Sequence, residues 1–239
     1  MVVFSPAARH NLISLVSLII SAMPGGKPGQ GTIPMPDRIR VSCASLCRIE
    51  HEGWFLLLLN ADRRQRGLYV LSPIGGALSI TAYDRLAPFA AILETPQNDD
   101  LRLTLPRAKL PHFREWFYSG QGRERSPFRE LREELVDEAS LLPALEPEDV
   151  TWEHLWTAEE EAFTKRGGQM GVFTHYFLEV FGVGFTNDAV MSALLAAPSE
   201  SGARWVTREQ IEDAAHINLT VDGAERSVRV NGRAILAPP

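Results

Sequence analysis

The order of hydrophobic and polar positions predicts that the folded part of the chain begins with a β-hairpin. Hydrophobic residues alternate with polar ones over 39–49, residues 51–53 are typical of a turn, and 54–59 is an almost continuous apolar run. Such a run indicates a strand that is buried on both faces. A further short strand is expected at 68–71, and it stops at the glycine-bearing turn Pro73-Ile74-Gly75-Gly76.

The second half of the chain alternates between strand patterns and helix patterns. The helical spacing of Phe113, Trp116 and Phe117 predicts a short helix over 111–118. β-branched and aromatic residues predict a second hairpin formed by 150–164 and 172–181. The other expected elements are a helix at 188–197, a strand at 204–206 and a helix up to Ala215 that begins at a capping box of Thr207 and Gln210.

A glutamate-rich helix is predicted between these two halves. Ser126 suits its N-cap and Pro127 its first helical position. At 3.6 residues per turn, one face carries apolar side chains (Phe128, Leu131, Leu135, Ala139 and Leu142), and the opposite face carries the carboxylates of Glu130, Glu133, Glu134 and Asp137. A hard divalent cation such as Mg²⁺ is the natural counter-charge for clustered carboxylates because it takes oxygen ligands. The alternative is a solvated surface helix, which is what most helices of this composition are.

The chain ahead of this domain has two parts of different composition. An apolar run of about 12 residues at 12–23 is followed by a Pro- and Gly-rich linker up to Pro36. A spanning helix needs about 20 apolar residues, so this run is too short to cross a membrane on length alone. A signal-peptide core, a membrane-surface anchor and a helix docked on the domain or on a partner remain as interpretations. We therefore divide the chain into 1–36 and a folded domain at 37–239.

Composition narrows the class of function. With 239 residues, 45% of them hydrophobic, the chain can bury a core of its own. A formal net charge of -6 argues against a protein that coats nucleic acid, but it permits a small anionic ligand in one cleft. Cys43 and Cys47 have no histidine or cysteine partners nearby in sequence, so neither a zinc site nor a disulfide is expected. These features predict a cytoplasmic protein, with membrane association through 12–23 as the one open point.

The segment Arg129-Glu130-Leu131-Arg132-Glu133-Glu134 resembles the core of the Nudix box, which is written G-x5-E-x7-R-E-U-x-E-E-x-G-U with U aliphatic. The turn at 73–76 looks like the glycine-bearing turn that precedes this box, and 204–207 with its capped helix resembles the final third of such domains. The order of these features is similar to that of the SMODS-associated Nudix domains, which accompany nucleotide-second-messenger synthases of bacterial anti-phage systems. The resemblance covers about residues 38–220.

This resemblance implies a fold, a cofactor and a site. The fold would be α/β, a Nudix-type mixed β-sheet sandwiched between helices, with a long insertion at about 82–125 before the Nudix helix. By the family's pattern, Glu130, Glu133 and Glu134 would bind Mg²⁺ or Mn²⁺ and act as the catalytic carboxylates. Arg129 would orient them, and Gly75 and Gly76 would form the turn beside the bound cofactor.

The chain departs from the family's pattern in three places. Arg129 follows Gly76 by 53 positions where the pattern has 14, so about 39 residues are inserted. The first glutamate of the pattern falls on Ala82, and its second glycine falls on Val136. Metal binding is therefore expected, whereas hydrolysis of a diphosphate linkage is left open.

The insertion combines cationic and aromatic side chains, a composition that suits a ligand lid. Cations hold phosphates and aromatic faces stack on bases, so Arg107, Lys109, Arg123 and Trp116 are predicted to contact the ligand. Arg102, Arg114 and Arg125 complete the basic set. The alternative is that the aromatic residues form the buried stripe of the 111–118 helix and that the cations only solvate its other side.

We therefore predict a divergent Nudix domain that binds a nucleotide or a nucleoside-diphosphate-linked small molecule, and not an extended nucleic acid. The family resemblance places it in bacterial nucleotide signalling and antiviral defence, with a partner from the same operon and membrane contact, if any, through 12–23. Two functions stay open. One is a Mg²⁺-dependent hydrolase, and the other is a non-catalytic nucleotide-sensing or interaction module.

Overall fold

The computed structural model describes residues 37–164 and 171–236, and the predicted segment at 1–36 lies outside them. The strands in this part are β1 (Arg38–His51), β2 (Trp54–Leu59), β3 (Val70–Ser72), β4 (Ile92–Leu93), β5 (Arg102–Pro106), β6 (Val150–Phe163), β7 (Phe173–Phe185), β8 (Ala203–Thr207), β9 (His216–Val221) and β10 (Ala224–Val230). The helices are α1 (Ala61–Arg64), α2 (Leu110–Ser119), α3 (Phe128–Arg132), α4 (Asp188–Leu195) and α5 (Arg208–Glu212), and a π-helix at Glu133–Glu138 continues α3. No helix among these residues is long and apolar enough to cross a membrane.

The first hairpin forms where the hydrophobic pattern predicts it. Glu52 and Gly53 connect β1 to β2 with positive φ angles of 49° and 83°, which is the backbone twist that a two-residue hairpin turn requires. Four consecutive residues of β2, from Phe55 to Leu58, are buried. The expectation that β2 is buried on both faces is confirmed.

Strand β1 is the centre of a mixed sheet. It runs parallel to β7 from the pair Arg40 and Thr174 to the pair Ile49 and Val183, and its first residues pair antiparallel with β5. Beyond the hairpin, β2 pairs antiparallel with β3 and β8, while β3 pairs in parallel with β10, and β10 pairs with β9. The second predicted hairpin is formed by β6 and β7, which pair over their whole length with one bulge.

Helices cover both faces of this sheet. The glutamate-rich helix packs Leu131 and Leu135 against Cys47 and Ile49 on one face of β1, and α2 packs on the same face further along the strand. On the other face, Ile211 of α5 joins a core with residues of β2, β7, β9 and β10. The predicted fold class, an α/β domain with a mixed sheet between helices, is confirmed.

The insertion is part of this sheet rather than an appendage. β5 pairs with β1, β4 pairs with β5, and Phe113 and Phe117 of α2 are fully buried. In this region the sequence predicted one helix, over 111–118, and the two strands were not predicted. Leu101, Leu103 and Leu105 do alternate at period two and are fully buried, so the strand signal was present among the prolines.

The glutamate-rich helix differs from the continuous α-helix that was predicted. Pro127, not Ser126, stands at the N-cap position, although the Ser126 hydroxyl accepts a hydrogen bond from the N–H of Phe128 at 3.1 Å. From Glu133 the helix widens to the π form, in which the N–H of Ala139 donates to the Glu134 carbonyl at 2.9 Å. π segments are uncommon and are often found at functional sites.

Candidate active site

An acidic cleft of about 710 Å³ opens between the glutamate-rich helix, the end of β2, helix α1 and the turn after β3. Its lining includes the three motif glutamates, Glu130, Glu133 and Glu134. Glu138, Glu200 and Asp62 add further carboxylates, and Arg64 and Arg102 are the cationic side chains that line it within the described residues. Carboxyl groups thus outnumber cationic side chains among the described residues of the lining.

The predicted carboxylate face of the helix is corrected in two respects. Glu130 does not face solvent opposite the apolar stripe, since it is only 7% exposed. Asp137 lies outside the cleft and pairs with Arg132 at 3.8 Å, while Glu138 lines the cleft instead. The wider π turn explains the exchange, because one additional residue per turn brings Glu138 rather than Asp137 above Glu134.

The turn at Gly75 and Gly76 fits closely against these glutamates. Gly75 has a φ of 147°, and a Cβ there would lie 2.1 Å from the Ser45 carbonyl oxygen. Its N–H donates to Glu134 Oε1 at 2.9 Å. A Cβ on Gly76 would lie 2.1 Å from Glu130 Oε2. A side chain at either position would fill space that is already in use. At Gly75 this space lets the backbone of β1 approach, and at Gly76 it holds the Glu130 carboxylate.

Arg129 ties several carboxylates together. Its guanidinium lies 2.8 Å from Glu130 Oε1 and 3.1 Å from Glu133 Oε2, and it donates to the carbonyl of Ala77 at 2.6 Å. Its Nη2 also pairs with Glu124 Oε2 at 2.9 Å. The single positive charge is thus shared among three glutamates, which fits the orienting role that the family resemblance implied.

Sequence reasoning missed Glu124. This residue accepts the N–H of Ser79 at 3.0 Å in addition to pairing with Arg129, so it fixes the arginine against the start of the insertion. It stands between Arg123 and Arg125, and the interpretation of that stretch as basic concealed it. A carboxylate five residues before the motif arginine was the available signal.

The electrostatics of the cleft show a surplus of negative charge. Burial raises the pKa of Glu130 to about 7; Arg129 lowers it and Glu133 raises it further. Burial likewise raises the pKa of Glu134 to about 8, against the lowering effect of the Gly75 N–H. Cys47 lies beneath them, and burial with the charges of these two glutamates raises the pKa of its thiol. Buried carboxylates in this state favour a proton or a cation.

The carboxylate oxygens of the motif glutamates are the type of ligand that a hard divalent cation prefers, but they do not converge on one point. Glu130, Glu133 and Glu134 offer carboxylate oxygens, which Mg²⁺ and Mn²⁺ prefer. Among the residues that the structure describes, however, no three His, Cys, Asp or Glu side chains converge on one point in the way a metal ion requires. Arg129 occupies oxygens of Glu130 and Glu133 that a cation would use.

Four predicted ligand contacts lie away from the cleft. Arg123 is buried and forms a bidentate ion pair with Glu179, with distances of 2.6 and 2.9 Å. Trp116 packs against the rings of Phe89 and Phe113 in the core. These two residues contribute to the fold, because their polar and aromatic surfaces are used within it. The structure therefore does not bring Arg123 and Trp116 together with the motif glutamates.

Arg107 and Lys109 are also separate from the motif glutamates. Arg107 lies over the Phe173 ring at 5.9 Å, near the beginning of β7, and Lys109 is exposed in the short 3₁₀ turn before α2. Neither lines the acidic cleft. Of the basic residues predicted in the insertion, only Arg102 lines the cleft. Arg64 lines it too, but it was not predicted from the sequence.

The two positions that break the family's pattern also lie outside the cleft lining. Ala82 directly precedes a 3₁₀ turn and lies beside Gly122, so that a Cβ added to Gly122 would be 3.0 Å from the Ala82 Cβ. Val136 packs against the core cluster that includes Leu131 and Leu135. A glutamate is thus missing where the pattern places one, while the valine contributes to packing.

A family model described as the SMODS-associated NUDIX domain matches residues 38–226. The matched region contains the cleft, the glycine turn and the insertion, and it begins at the first residue of β1. Comparisons with curated proteins and with solved structures found no match. The resemblance drawn from the motif residues is confirmed.

Proposed function

Since the chain belongs to the SMODS-associated NUDIX domain family, we propose that it binds a nucleotide or nucleoside-diphosphate-linked ligand together with Mg²⁺ or Mn²⁺ and hydrolyses a diphosphate linkage. The family name supports a setting in bacterial nucleotide signalling directed against phage, with a partner from the same operon. Any membrane contact through 12–23 concerns residues outside those described.

One observation carries the proposal. Glu130, Glu133 and Glu134 line a single cleft, and two of them are buried enough to hold raised pKa values. A surface helix would leave its carboxylates in water with ordinary pKa values. The burial of Glu130 and Glu134 therefore supports the proposal over the alternative of a solvated surface helix.

The residues of the chain have distinct roles in this proposal. The Gly75 N–H fixes one oxygen of Glu134, and Arg129 fixes Glu130 and Glu133. The remaining oxygens are then available to hold a divalent cation, in which case Arg129 must release part of its hold. A bound cation would polarise a phosphoryl oxygen and make water more acidic.

Glu130 or Glu134 would take the proton of the attacking water. A general base works best when its pKa lies near the operating pH. Burial raises the pKa of both residues in the metal-free protein, and a bound cation would lower it again. Glu130 packs against Gly76 and pairs with Arg129, whereas Glu134 accepts a hydrogen bond from the Gly75 N–H, so both carboxylates are held in position.

The test is turnover of a panel of nucleoside diphosphate derivatives and cyclic oligonucleotides with Mg²⁺. We expect the double variant Glu133→Gln, Glu134→Gln to lose about 100-fold or more of any activity, the usual effect of removing positioned catalytic groups. Asp137→Asn is the matched control, because it removes one charge from the same helix outside the cleft. Tight binding without turnover in the wild type would refute hydrolysis, and no binding of any nucleotide would refute the ligand class.

A non-catalytic sensing module is the second candidate. The observation that favours it is the arrangement of the motif glutamates, since Arg129 already occupies Glu130 and Glu133 and the described side chains form no converged metal group. Ala82, in place of the pattern's first glutamate, supports the same candidate. In that case the panel would show nucleotide binding that is independent of Mg²⁺ and no turnover.

A further inference from the structure

Arg64 lies at the rim of the acidic cleft and is held in position from outside. Its guanidinium pairs with Asp222 in the turn between β9 and β10, with Nε 3.4 Å from Oδ2 and Nη2 in contact with Oδ1. The side chain is 46% exposed, and among the described residues its Nη1 group makes no hydrogen bond. Asp222 therefore orients Arg64 and leaves N–H donors for a ligand.

Arg102 lines the same cleft from a different element. It is the first residue of β5, its Nη1 pairs with Asp100 at 2.5 Å, and its side chain is 23% exposed. The motif glutamates and both arginines belong to one lining. The cleft therefore has a negative centre and a guanidinium from each of two different elements.

This distribution of charge matches a ligand that brings phosphates. In the described part of the chain, six carboxylates line the cleft, from Asp62, Glu130, Glu133, Glu134, Glu138 and Glu200, and they would repel a phosphate unless a cation lies between them. Guanidinium groups bind phosphate oxygens with two parallel hydrogen bonds. Phosphates that bridge the cation site would therefore find Arg64 or Arg102 as further partners.

The cleft offers a base no aromatic partner in the part of the chain that the structure describes. Among the residues described, those that line it include no Phe, Tyr, Trp or His side chain. The aromatic residues of the insertion are used elsewhere, since Phe113 and Phe117 are fully buried and Trp116 packs against Phe113. Stacking on aromatic faces is a main source of affinity for a base, and it is missing here.

We propose that Arg64 and Arg102 bind the ligand's phosphates and that the cleft recognises phosphate groups with little regard to the base. This inference rests on the proposed function, because it assumes that a nucleotide occupies the cleft. It adds that the ligand class is defined by its phosphates, so nucleotides with different bases should bind alike.

The experiment is calorimetric titration of the full chain, in the presence of Mg²⁺, with ADP, GDP, CDP, UDP, inorganic pyrophosphate, cyclic di-AMP and cyclic di-GMP. Within each class that binds, we expect dissociation constants within about threefold across bases. Arg64→Gln and Arg102→Gln should each weaken binding about tenfold, which is about 1.4 kcal/mol. Arg132→Gln is the matched control, since it removes the same charge from the glutamate-rich helix and does not line the cleft.

Two results separate the inference from the function beneath it. If nucleotides bind but one base is preferred by more than about tenfold, or if Arg64→Gln and Arg102→Gln both bind like Arg132→Gln, the inference is overturned and the proposed function stands. If the wild type binds none of these probes, both are overturned. Thermal unfolding of each variant identifies a loss of binding that comes from a loss of folding.

Discussion

Replacing each glycine of the Gly75-Gly76 turn by alanine separates two uses of the same turn. At Gly75 the new Cβ would meet backbone, the Ser45 carbonyl oxygen at 2.1 Å and Leu46 Cα at 3.0 Å. At Gly76 the nearest atoms it would meet are those of the Glu130 carboxyl group, whose Oε2, Cδ and Oε1 lie at 2.1, 2.5 and 2.6 Å. Backbone in a sheet cannot move aside, whereas a glutamate side chain can rotate.

The magnitudes follow from these contacts. A residue other than glycine at the φ of Gly75, 147°, costs about 1–3 kcal/mol. Relief of the clash would also strain the hydrogen bond from the Ser45 N–H to the Gly76 carbonyl, worth about 1 kcal/mol. We expect Gly75→Ala to lose about 3 kcal/mol of stability, and a Tm lower by about 6–12 °C for a domain of this size.

Gly76→Ala should leave stability nearly unchanged. It displaces the Glu130 carboxylate, whose side chain is 9% exposed, from its pair with Arg129, which is 33% exposed. Because burial already disfavours this carboxylate, its release into water offsets much of the ion pair that is lost, which leaves a net cost of about 1 kcal/mol. The Tm should stay within about 3 °C of the wild type. Affinity for Mg²⁺ or Mn²⁺ should fall about tenfold or more, because one ligand has left its position.

The assay combines thermal unfolding in EDTA with calorimetric titration of Mn²⁺. If Gly76→Ala unfolds as early as Gly75→Ala, the space beside Gly76 serves the fold and not the carboxylate. If Gly76→Ala binds Mn²⁺ as the wild type does, Glu130 does not hold the cation, and its role in the proposed site is wrong.

Three further predictions concern stability and reactivity. Burial raises the pKa of Glu134 from 4.5 to about 8, so between these pH values the folded protein keeps a proton that the unfolded chain has lost. The free energy of unfolding of the metal-free protein should therefore fall as the pH rises from 4.5 to about 8. Glu134→Gln should reduce this pH dependence when unfolding is followed by urea titration. Glu179→Ala leaves the buried Arg123 without its ion-pair partner and should lower the free energy of unfolding by about 3–5 kcal/mol in the same titrations. The double variant Glu179→Ala, Arg123→Met should recover part of this loss. If it recovers none, the stabilising role of the pair is wrong. Cys43 and Cys47 are fully buried with raised pKa values, so an aromatic disulfide reagent should modify them only as fast as the protein unfolds, and rapid reaction of the native state would refute their burial.

Much of the fold could be predicted because its signals are local. The alternation in β1, the apolar run of β2 and the capping box at Thr207 each specify one element from neighbouring residues. The same holds for the motif core, whose spacing brings Glu130, Glu133 and Glu134 to one region of a helix. Patterns of this kind can be detected in the sequence because burial and helical periodicity determine the type of residue at each position.

The rest depends on contacts between distant segments, which no local pattern carries. In the sequence Arg123 resembles a ligand contact, but its partner in the fold, Glu179, lies 56 positions later in β7. Trp116 resembled a stacking residue, but the neighbouring Phe89 places it in the core. The change to a π-helix at Glu133 likewise exchanges Asp137 for Glu138 in the cleft, and the sequence periodicity alone predicts a regular α-helix.

The long insertion inside the motif leaves the motif glutamates beside the glycine turn because its two ends meet. The Glu124 N–H donates to the Ser79 carbonyl at 2.8 Å, the Glu124 carboxylate accepts the Ser79 N–H at 3.0 Å, and Ile80 forms an isolated bridge with Arg123. The entropy of closing a loop grows only slowly with its length, so about 39 added residues change that term by roughly 1 kcal/mol. The insertion also buries its own core through β5 and α2, which offsets that cost. The number of residues between Gly76 and Arg129 therefore does not indicate whether the two motif segments lie together. The close approach of Glu130 to Gly76 shows that they do.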